Sequence, residues 1–277
     1  CGLYKYVWNY AGAPGNLVNS FADFAKGPEK LDLLGVPQAD RFGILSPSDT
    51  WAMLGSQTAL YISDAARDAY RDAELGSIGN VMTGMSQSVA THTVGTGTGT
   101  PLTRGTSNTT TWAASKDSNT MTLSTDGWTS AVTLKAGDVF TIEDVYAVNP
   151  RTKESTGQLQ QFVIVSDVVT HVTTSSETQI TISPAIITSG AYQNVNSAPG
   201  NDKTITYAGT AGTGAEVTNF VIAGHPMAIT FAEQIAKVVA YQPEDSFGEA
   251  IKGLHLFGAK VVRPEALVVC DVDVTVV

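Results

Sequence analysis

The sequence predicts an α+β protein that carries an inserted all-β domain, and three observations lead to this fold class. Helical patterns and apolar runs typical of strands alternate up to residue 90. Strand patterns alone fill residues 91–219, and both kinds return over residues 220–277. Helices repeat about every 3.6 residues and strands every 2, so the sequence distinguishes them. We therefore expect residues 1–90 and 220–277 to fold together as one domain, and residues 91–219 to form a small barrel or sandwich inserted into it.

The first part opens with patterns typical of two short helices and a strand. Apolar residues at helical spacing from Leu17 to Ala25 predict a first helix, which Gly27-Pro28 should break. A second helix is expected from Pro28 to Leu34, with Gly35 as its left-handed cap. The apolar run from Arg41 to Leu45 then predicts a buried strand.

A sequence signature of a helix N-terminus follows that strand. Ser46-Pro47-Ser48-Asp49 combines an N-cap serine, a first-turn proline and an acidic third residue, and predicts a helix to about Leu54. The Ala-rich stretch from Thr58 to Leu75 predicts an amphipathic helix that Gly76 ends. Asn80 to Val89 is a weakly patterned strand candidate.

The middle part begins with an abrupt change of composition. Of the 43 residues from Thr91 to Thr133, 15 are Thr, and the run GTGTGTP alternates Gly with Thr. Such a stretch is not expected to hold a helix, because Gly and Thr are poor helix formers. It predicts a flexible connector or a series of short strands, and further strands are expected at TQITISP and NDKTITYAG.

The best-specified local structure is a β-hairpin in this middle part. Nearly every residue from Val139 to Val148 is β-branched, aromatic or otherwise apolar, and the run from Leu159 to Val165 matches it. Asn149-Pro150 starts the turn, and Gly157 is suited to a positive φ. We expect two strands joined by the polar loop RTKESTG.

Helical spacing returns in the last part. Phe231, Ile235, Val238 and Val239 predict a helix. Two strands, Leu254 to Val262 and Ala266 to Val277, are then expected on either side of Arg263-Pro264-Glu265.

Composition excludes several classes of function. A net charge of −10 and a pI near 4.7 argue against a protein that binds nucleic-acid backbones, which requires clustered Lys and Arg. The two cysteines, Cys1 and Cys270, provide neither a disulfide framework nor a cysteine zinc site, which favours a reducing compartment. No apolar run approaches the roughly 18 residues that span a bilayer, and no signal peptide is recognised, so we expect no membrane association.

Catalytic signatures are also missing from the sequence. The four histidines, His92, His171, His225 and His255, have no His or Cys partner at metal-ligand spacing. No nucleophile-elbow, Walker or zincin motif occurs. The glycines of GTGTGTP and of the stretch from Gly209 to Gly214 resemble a phosphate loop only superficially, and we expect flexible connectors there. The sequence predicts no catalytic, cofactor-binding or metal-binding residue, and a protein that is not an enzyme.

The turn of the predicted hairpin provides the one candidate site. Asn149, Arg151, Lys153 and Glu154 place mixed charges on a loop that is expected to project. These residues serve either as a solubilising tip or as a contact with another subunit through opposed ion pairs. Abundant apolar strands without reactive groups favour a protein whose function is association.

Several blocks of the sequence resemble one protein family, and they occur in the same order as in that family. They are VWNYAGAPGN, LLGVPQADRFGILSPSDTWAML, GSIGNVMTGMSQSVATHTVGT, LKAGDVFTIEDVYAVNPRTKESTGQLQQFVI, TISPAIITSGAYQNV and LFGAKVVRPEALVV. Together they resemble the major capsid protein of tailed double-stranded DNA bacteriophages. More narrowly, they are similar to the coat proteins of short-tailed Salmonella phages.

The resemblance implies a Hong Kong 97-type fold and a structural role. Residues 1–90 and 220–277 would form the axial and peripheral domains, and residues 91–219 the inserted β domain. Many copies would assemble as hexamers and pentamers into an icosahedral shell. Assembly would take place in the bacterial host cytoplasm, and the finished shell would be part of the virion. The implied partners are the protein itself, a scaffolding protein, the portal, a decoration or cement protein, and packaged DNA that is enclosed without specific binding.

Two further expectations follow from comparison with that family. Its N-terminal arm, extended loop and long spine helix have no counterpart before the AGAPG block, so we expect them outside these residues. Nothing indicates covalent cross-linking between subunits, so non-covalent closure is expected. A β-rich adhesin, fibre or carbohydrate-binding module is the alternative, based on residues 91–219 alone, although Trp112 and Trp128 do not by themselves indicate a sugar platform.

Overall fold

Two hydrophobic cores form along the chain, each beside its own β-sheet. The computed structural model describes residues 2–12, 18–58, 75–105, 108–116, 118–208, 217–245 and 247–273. Its helices are α1 (Phe21–Leu33), α2 (Pro47–Thr58) and the single turn α3 (Trp112–Ser115), with 3₁₀ turns at Gly2–Tyr6, Pro226–Ala228 and Pro264–Ala266. Its strands are β1 (Tyr10–Gly12), β2 (Arg41–Leu45), β3 (Ser77–Ile78), β4 (Val81–Met85), β5 (Thr91–Thr93), β6 (Gly99–Thr103), β7 (Met121–Trp128), β8 (Thr133–Leu134), β9 (Val139–Val148), β10 (Ser155–Ile164), β11 (Val168–Val169), β12 (Thr178–Ser183), β13 (Ile205–Tyr207), β14 (Val217–Gly224), β15 (Ile229–Tyr241), β16 (Ala250–Val261) and β17 (Leu267–Asp273).

The first core belongs to a seven-stranded sheet, which together with α1 and α2 we call the body. Its strand order is β1-β17-β14-β2-β4-β3, and β5 pairs with the beginning of β14. Strands β1 and β17 are parallel, as are β2 and β4. The core draws on both ends of the chain, and its largest fully buried side chains are Phe24, Leu31, Leu45 and Met53.

The start of α2 has the geometry that the sequence predicts. The Ser46 hydroxyl accepts a hydrogen bond from the Asp49 backbone N–H at 3.2 Å and donates to the Asp49 carboxylate at 2.5 Å. This satisfies an amide that the first helical turn leaves without a partner. The helix continues to Thr58, one turn beyond the predicted end at Leu54.

Helix α1 corrects the prediction of two short helices. It runs without interruption through Gly27 and Pro28, and its buried residues are Phe24, Gly27 and Leu31. Proline removes one helical hydrogen bond. Burial of these residues at intervals of three and four stabilises the helix across that gap. The predicted cap is nevertheless confirmed, because Gly35 follows the helix with a φ of +70°.

The second core fills a six-stranded sheet that we call the barrel. Its strand order is β13-β9-β10-β12-β7-β6. The two outer strands meet at a bridge between Leu102 and Thr204, and the Thr103 N–H donates to the Lys203 carbonyl at 2.9 Å, so the sheet closes. The buried residues inside are Leu123, Trp128, Leu134, Phe140, Ile142, Val145, Phe162, Ile164, Ile180, Ile182, Ile186, Val195 and Ile205. The predicted mixture of helices and strands with a barrel-like sheet is therefore confirmed.

The predicted hairpin is the longest strand pair of the barrel. Strands β9 and β10 are antiparallel, and the stacked rings of Phe140 and Phe162 lie 5.7 Å apart between their centroids. Strand β10 begins at Ser155, so only six residues join the strands instead of the longer loop expected. Gly157 adopts the expected positive φ, at +73°, within β10.

Two expectations for the Thr-rich segment are wrong. Trp112–Ser115 forms a helical turn where no helix is expected. The glycines of GTGTGTP do not form a loose connector, because a Cβ on Gly95 would lie 2.5 Å from the Thr133 carbonyl oxygen. A Cβ on Gly97 would lie 2.6 Å from the Leu134 side chain. These glycines allow the backbone to pack closely against the barrel.

The predicted helix around Phe231 is a strand. Residues Ile229–Tyr241 form β15, which pairs along its whole length with β16. A β-bulge lies between Ile235 and Lys237. Phe231 and Ile235 share a face because they are four residues apart, and the extra residue of the bulge brings Val238 to that face as well. The resulting intervals of four and three imitate helical spacing.

Parts of three predictions lie outside the described residues. The predicted helix from Thr58 to Leu75 falls mostly on residues 59–74. The glycines between 209 and 214 and the last four residues of the final predicted strand are also outside.

Phe24→Ala and Phe162→Ala provide a matched test of whether the two cores are separate. Each substitution should cost about 3–5 kcal/mol, because each removes a fully buried ring. We expect faster amide hydrogen exchange in the body for the first variant and in the barrel for the second. Equal acceleration in both sheets by both variants would show a single cooperative unit.

Candidate inter-subunit contact surfaces

The tip loop, residues 149–154, is a short and internally bonded turn. The Asn149 side-chain oxygen accepts hydrogen bonds from the N–H groups of Arg151 at 2.9 Å and Thr152 at 3.3 Å. The Asn149 N–H donates to the Glu154 carbonyl at 2.9 Å, and the Lys153 N–H donates to the Asn149 carbonyl at the same distance. Asn149 therefore starts the turn, as the sequence predicts.

The charged residues of the tip loop differ in exposure. Arg151 and Glu154 are exposed, whereas Lys153 is half-buried. The Lys153 ammonium donates to the Gln193 carbonyl oxygen at 3.2 Å. Among the charges that the sequence places in this loop, Arg151 and Glu154 are thus the ones presented to another molecule, while Lys153 binds the tip to the neighbouring loop of the barrel.

The start of β10, next to the tip loop, is attached to the body of the same chain. The Lys30 ammonium of α1 donates to the Gln158 side-chain oxygen at 3.1 Å, and burial lowers the Lys30 pKa. Asn149 lines a shallow groove together with Phe21 and Pro28 of α1. These contacts fix where the tip loop lies relative to α1.

The second candidate surface is the exposed hairpin, formed by β15 and β16. It is a separate two-stranded sheet, and nearly all its described side chains are exposed. On one face, Phe231, Ile235 and Val238 of β15 accompany Phe257 and Ile251 of β16. Phe257 is 71% and Ile251 77% exposed. Exposed apolar patches of this kind mark sites of protein association.

A polar pair lies within this apolar face. His255 Nε2 and Glu233 Oε1 are 2.8 Å apart, and both side chains are about half exposed, at 51% and 52%. The rings of Phe231 and Phe257 lie 6.4 Å apart, and the His255 ring lies 5.7 Å from that of Phe257. The face therefore combines aromatic area with one charged or hydrogen-bonded pair, a mixture common at interfaces.

The opposite face of the exposed hairpin is more polar. The Lys252 ammonium lies 4.3 Å from the centre of the Tyr241 ring. Lys237 and Lys260 lie on the same side by the register of the two strands. The sequence could not predict this difference between faces, because the bulge after Ile235 hides the strand period.

The histidines occupy separate environments. His92 is buried beside Asp138, whereas His255 pairs with Glu233. His171 and His225 each accept a hydrogen bond from a backbone N–H two residues onward. Within the described ranges, no group of three or more His, Cys, Asp or Glu side chains is placed to share a metal ion. No helix in those ranges is long and apolar enough to cross a membrane.

These features define a protein whose exposed apolar surface and bonded loops are suited to contact with other protein chains. A family model described as "P22 coat protein - gene protein 5" matches residues 7–232. The chain belongs to this coat protein family. No curated protein gives a significant match to it.

Solved structures also resemble the chain at low similarity. One titled "Mycobacterium phage Che8" has a TM-score of 0.42 and 13% identity, over 97% of this chain and 55% of that one. "Capsid structure of the Cyanophage P-SCSP1u" has a TM-score of 0.35 and 10% identity, over 97% and 57%. "CUS-3 coat protein I-domain" has a TM-score of 0.25 and 28% identity, over 43% of this chain and 98% of that one. The chain thus spans little more than half the length of the first and second of these.

Proposed function

We propose that the chain is a structural subunit of a bacteriophage head, a major capsid protein that assembles into an icosahedral shell around double-stranded DNA. The match of residues 7–232 to the coat protein family carries this proposal. Hexamers and pentamers of identical subunits require surfaces that complement one another without being the same. The tip loop and the exposed hairpin are two such unlike surfaces on one chain.

The proposed fold is of the Hong Kong 97 type, with the barrel as an insertion. Residues 1–90 and 220–277 form the axial and peripheral domains, and residues 91–219 the inserted domain. The strand pairing supports this division to within a few residues, because Thr91–Thr93 lie antiparallel to Val217–Asn219 in the body sheet. The chain leaves the body along one of these paired segments and returns along the other.

Association accounts for the exposed hairpin. A two-stranded sheet is marginally stable when it packs against nothing. Its apolar face, with Phe231 and Phe257, would be covered by protein in a shell, and burial of apolar area contributes about 25 cal/mol per Å². A shell then gains stability by summing many such interfaces.

The acidic character of the chain is compatible with a container for DNA. A net charge of −10 provides no general attraction for phosphates, so packaged DNA would be enclosed without specific binding. The further proposed partners are a scaffolding protein, the portal and a decoration or cement protein. The proposed location is the virion after assembly in the host cytoplasm, and the role is structural without catalysis.

No observation favours the alternative of a carbohydrate-binding module or adhesin. The Trp128 side chain is buried in the barrel, where its indole N–H donates to the Thr125 hydroxyl at 2.9 Å. The Trp112 ring is stacked on that of Tyr192 at 4.0 Å between centroids. Each tryptophan therefore already has a packing role within the chain.

Co-production of the full-length protein with its scaffolding protein tests the proposed function. We expect material that sediments as closed shells in a sucrose gradient and appears as such by electron microscopy. Soluble monomers under all such conditions, from protein shown to be folded by circular dichroism, would contradict the proposal.

Phe257→Ser should reduce shell assembly because it removes an aromatic ring from the apolar face of the exposed hairpin. Lys260→Ser changes the opposite face of the same strand and serves as the matched control. The yield of sedimenting particles is expected to fall at least several-fold in the first variant and to change little in the second. Equal yields would show that the apolar face is not an assembly contact.

Arg151→Glu should weaken shells while leaving the subunit folded, because Arg151 is exposed at the tip loop. Lys153→Glu is expected to disturb the subunit as well, since it replaces the donor to Gln193. Urea unfolding of the subunit and heat resistance of the shells separate the two effects. Shells of Arg151→Glu with unchanged resistance would make the loop only a solubilising tip.

A further inference from the structure

A single buried carboxylate lies where the chain passes between the body and the barrel. Asp138 precedes β9, and its side chain has no exposed surface. A buried carboxylate requires several donors to offset the loss of water. The donors around Asp138 come from the body strand β5, from the outgoing segment and from the barrel itself.

The outgoing segment reaches Asp138 through two residues. His92 belongs to β5 of the body sheet, and its Nε2 lies 2.8 Å from Asp138 Oδ1. The Gly95 N–H, between β5 and β6, lies 3.2 Å from each carboxylate oxygen. A side chain on Gly95 would lie 2.6 Å from Asp138 Oδ2, so only glycine allows this approach.

The barrel itself reaches the same carboxylate through Tyr207, close to the point where the chain leaves the barrel. This residue ends β13, the last barrel strand before the chain returns to β14. Its hydroxyl donates to Asp138 Oδ2. Burial and the nearby Asp138 charge raise the Tyr207 pKa, so the hydroxyl keeps the proton that it donates. The Lys135 N–H also donates to Oδ2, at 2.7 Å.

We propose that Asp138 is an orientation clamp that holds the outgoing crossing against the barrel and fixes the barrel at one angle to the body. His92 and Gly95 provide the bonds from the body strand and the crossing, and Tyr207 holds the carboxylate in place from within the barrel. Hydrogen bonds to a charged acceptor are stronger than neutral ones, and leaving such donors buried without a partner is costly. Opening of the clamp therefore requires the bonds from His92 and Gly95 to Asp138 to be lost.

Contacts from the body complete the surroundings of the clamp. The Tyr4 ring meets the His92 ring edge-on, with 5.6 Å between centroids. At a separate point, the Gln161 side chain of β10 accepts from the Tyr10 N–H and donates to the Tyr10 carbonyl, both at 3.0 Å. The clamp and the Gln161–Tyr10 hydrogen bonds are two separate points of contact. Together they limit both rotation of the barrel relative to the body and separation of the barrel from the body.

Asp138→Asn tests the clamp with almost no change of shape. One carboxylate oxygen becomes an NH₂ group. In either orientation of the amide, this group faces hydrogen-bond donors in place of an acceptor. Residual dipolar couplings of the full chain in solution report the relative order of the two sheets. One alignment tensor is expected to fit both sheets in the unaltered protein, whereas in the variant the barrel tensor should be smaller by at least a fifth.

Two further variants make the result decisive. His92→Phe keeps an aromatic ring against Tyr4 but removes the bond from the body sheet to Asp138, so its effect should be in the same direction, and it decides the question if Asp138→Asn does not fold. Glu177→Gln is the control, because Glu177 accepts hydrogen bonds from Ser124 and Gln179, which both belong to the barrel.

The clamp is overturned if one tensor of equal magnitude still fits both sheets in Asp138→Asn, or in His92→Phe where Asp138→Asn does not fold. It is also overturned if Glu177→Gln has the same effect as Asp138→Asn. Because these measurements use free subunits, their outcome is independent of whether the protein forms shells.

Discussion

The structure depends on one constraint: a single chain must cross between two hydrophobic cores twice. Each crossing exposes backbone N–H and C=O groups that need partners wherever they are buried. Paired strands β5 and β14 satisfy part of this need on the body side. On the barrel side, the outgoing crossing packs against Thr133 and Leu134 through glycines that leave no space for a side chain.

The closed barrel and the exposed hairpin differ in the surface that they offer to other chains. Strands β6 and β13 meet, so the six-stranded sheet has no long unpaired edge at that seam. The exposed hairpin has the opposite character, since it is a separate two-stranded sheet with a bare apolar face. Among the described residues, the apolar surface suited to contact with other chains is thus provided by the exposed hairpin, whereas the barrel presents the short, internally bonded tip loop.

The sequence predicts those elements that local chemistry determines. Ser46 and Asp49 define the start of α2, and the apolar runs on either side of Asn149 define β9 and β10, because the residues involved are neighbours in the chain. The continuous helix α1 was not predictable in this way. Its stability across Pro28 comes from burial of Phe24 and Leu31 against strands that lie far away in sequence.

Long-range pairing also explains why the sequence predicts neither the cluster around Asp138 nor the different roles of the two basic residues in the tip loop. His92 and Asp138 are 46 residues apart, and Asp138 and Tyr207 are 69 apart, so no spacing rule brings them together. Lys153 and Arg151 are both basic residues of one turn, so the sequence does not distinguish them. Only the fold shows that Gln193 accepts a hydrogen bond from one of them. In β15, a bulge made a strand resemble a helix.

An electron-microscopy reconstruction, at side-chain resolution, of particles purified with this protein tests the central claim most directly. We predict that the subunit forms the hexamers and pentamers of the icosahedral lattice, with the apolar face of the exposed hairpin covered by other protein. The tip loop should lie within contact distance of a neighbouring subunit. A shell whose lattice lacks this protein, or one in which Phe231 and Phe257 face solvent, would contradict the account.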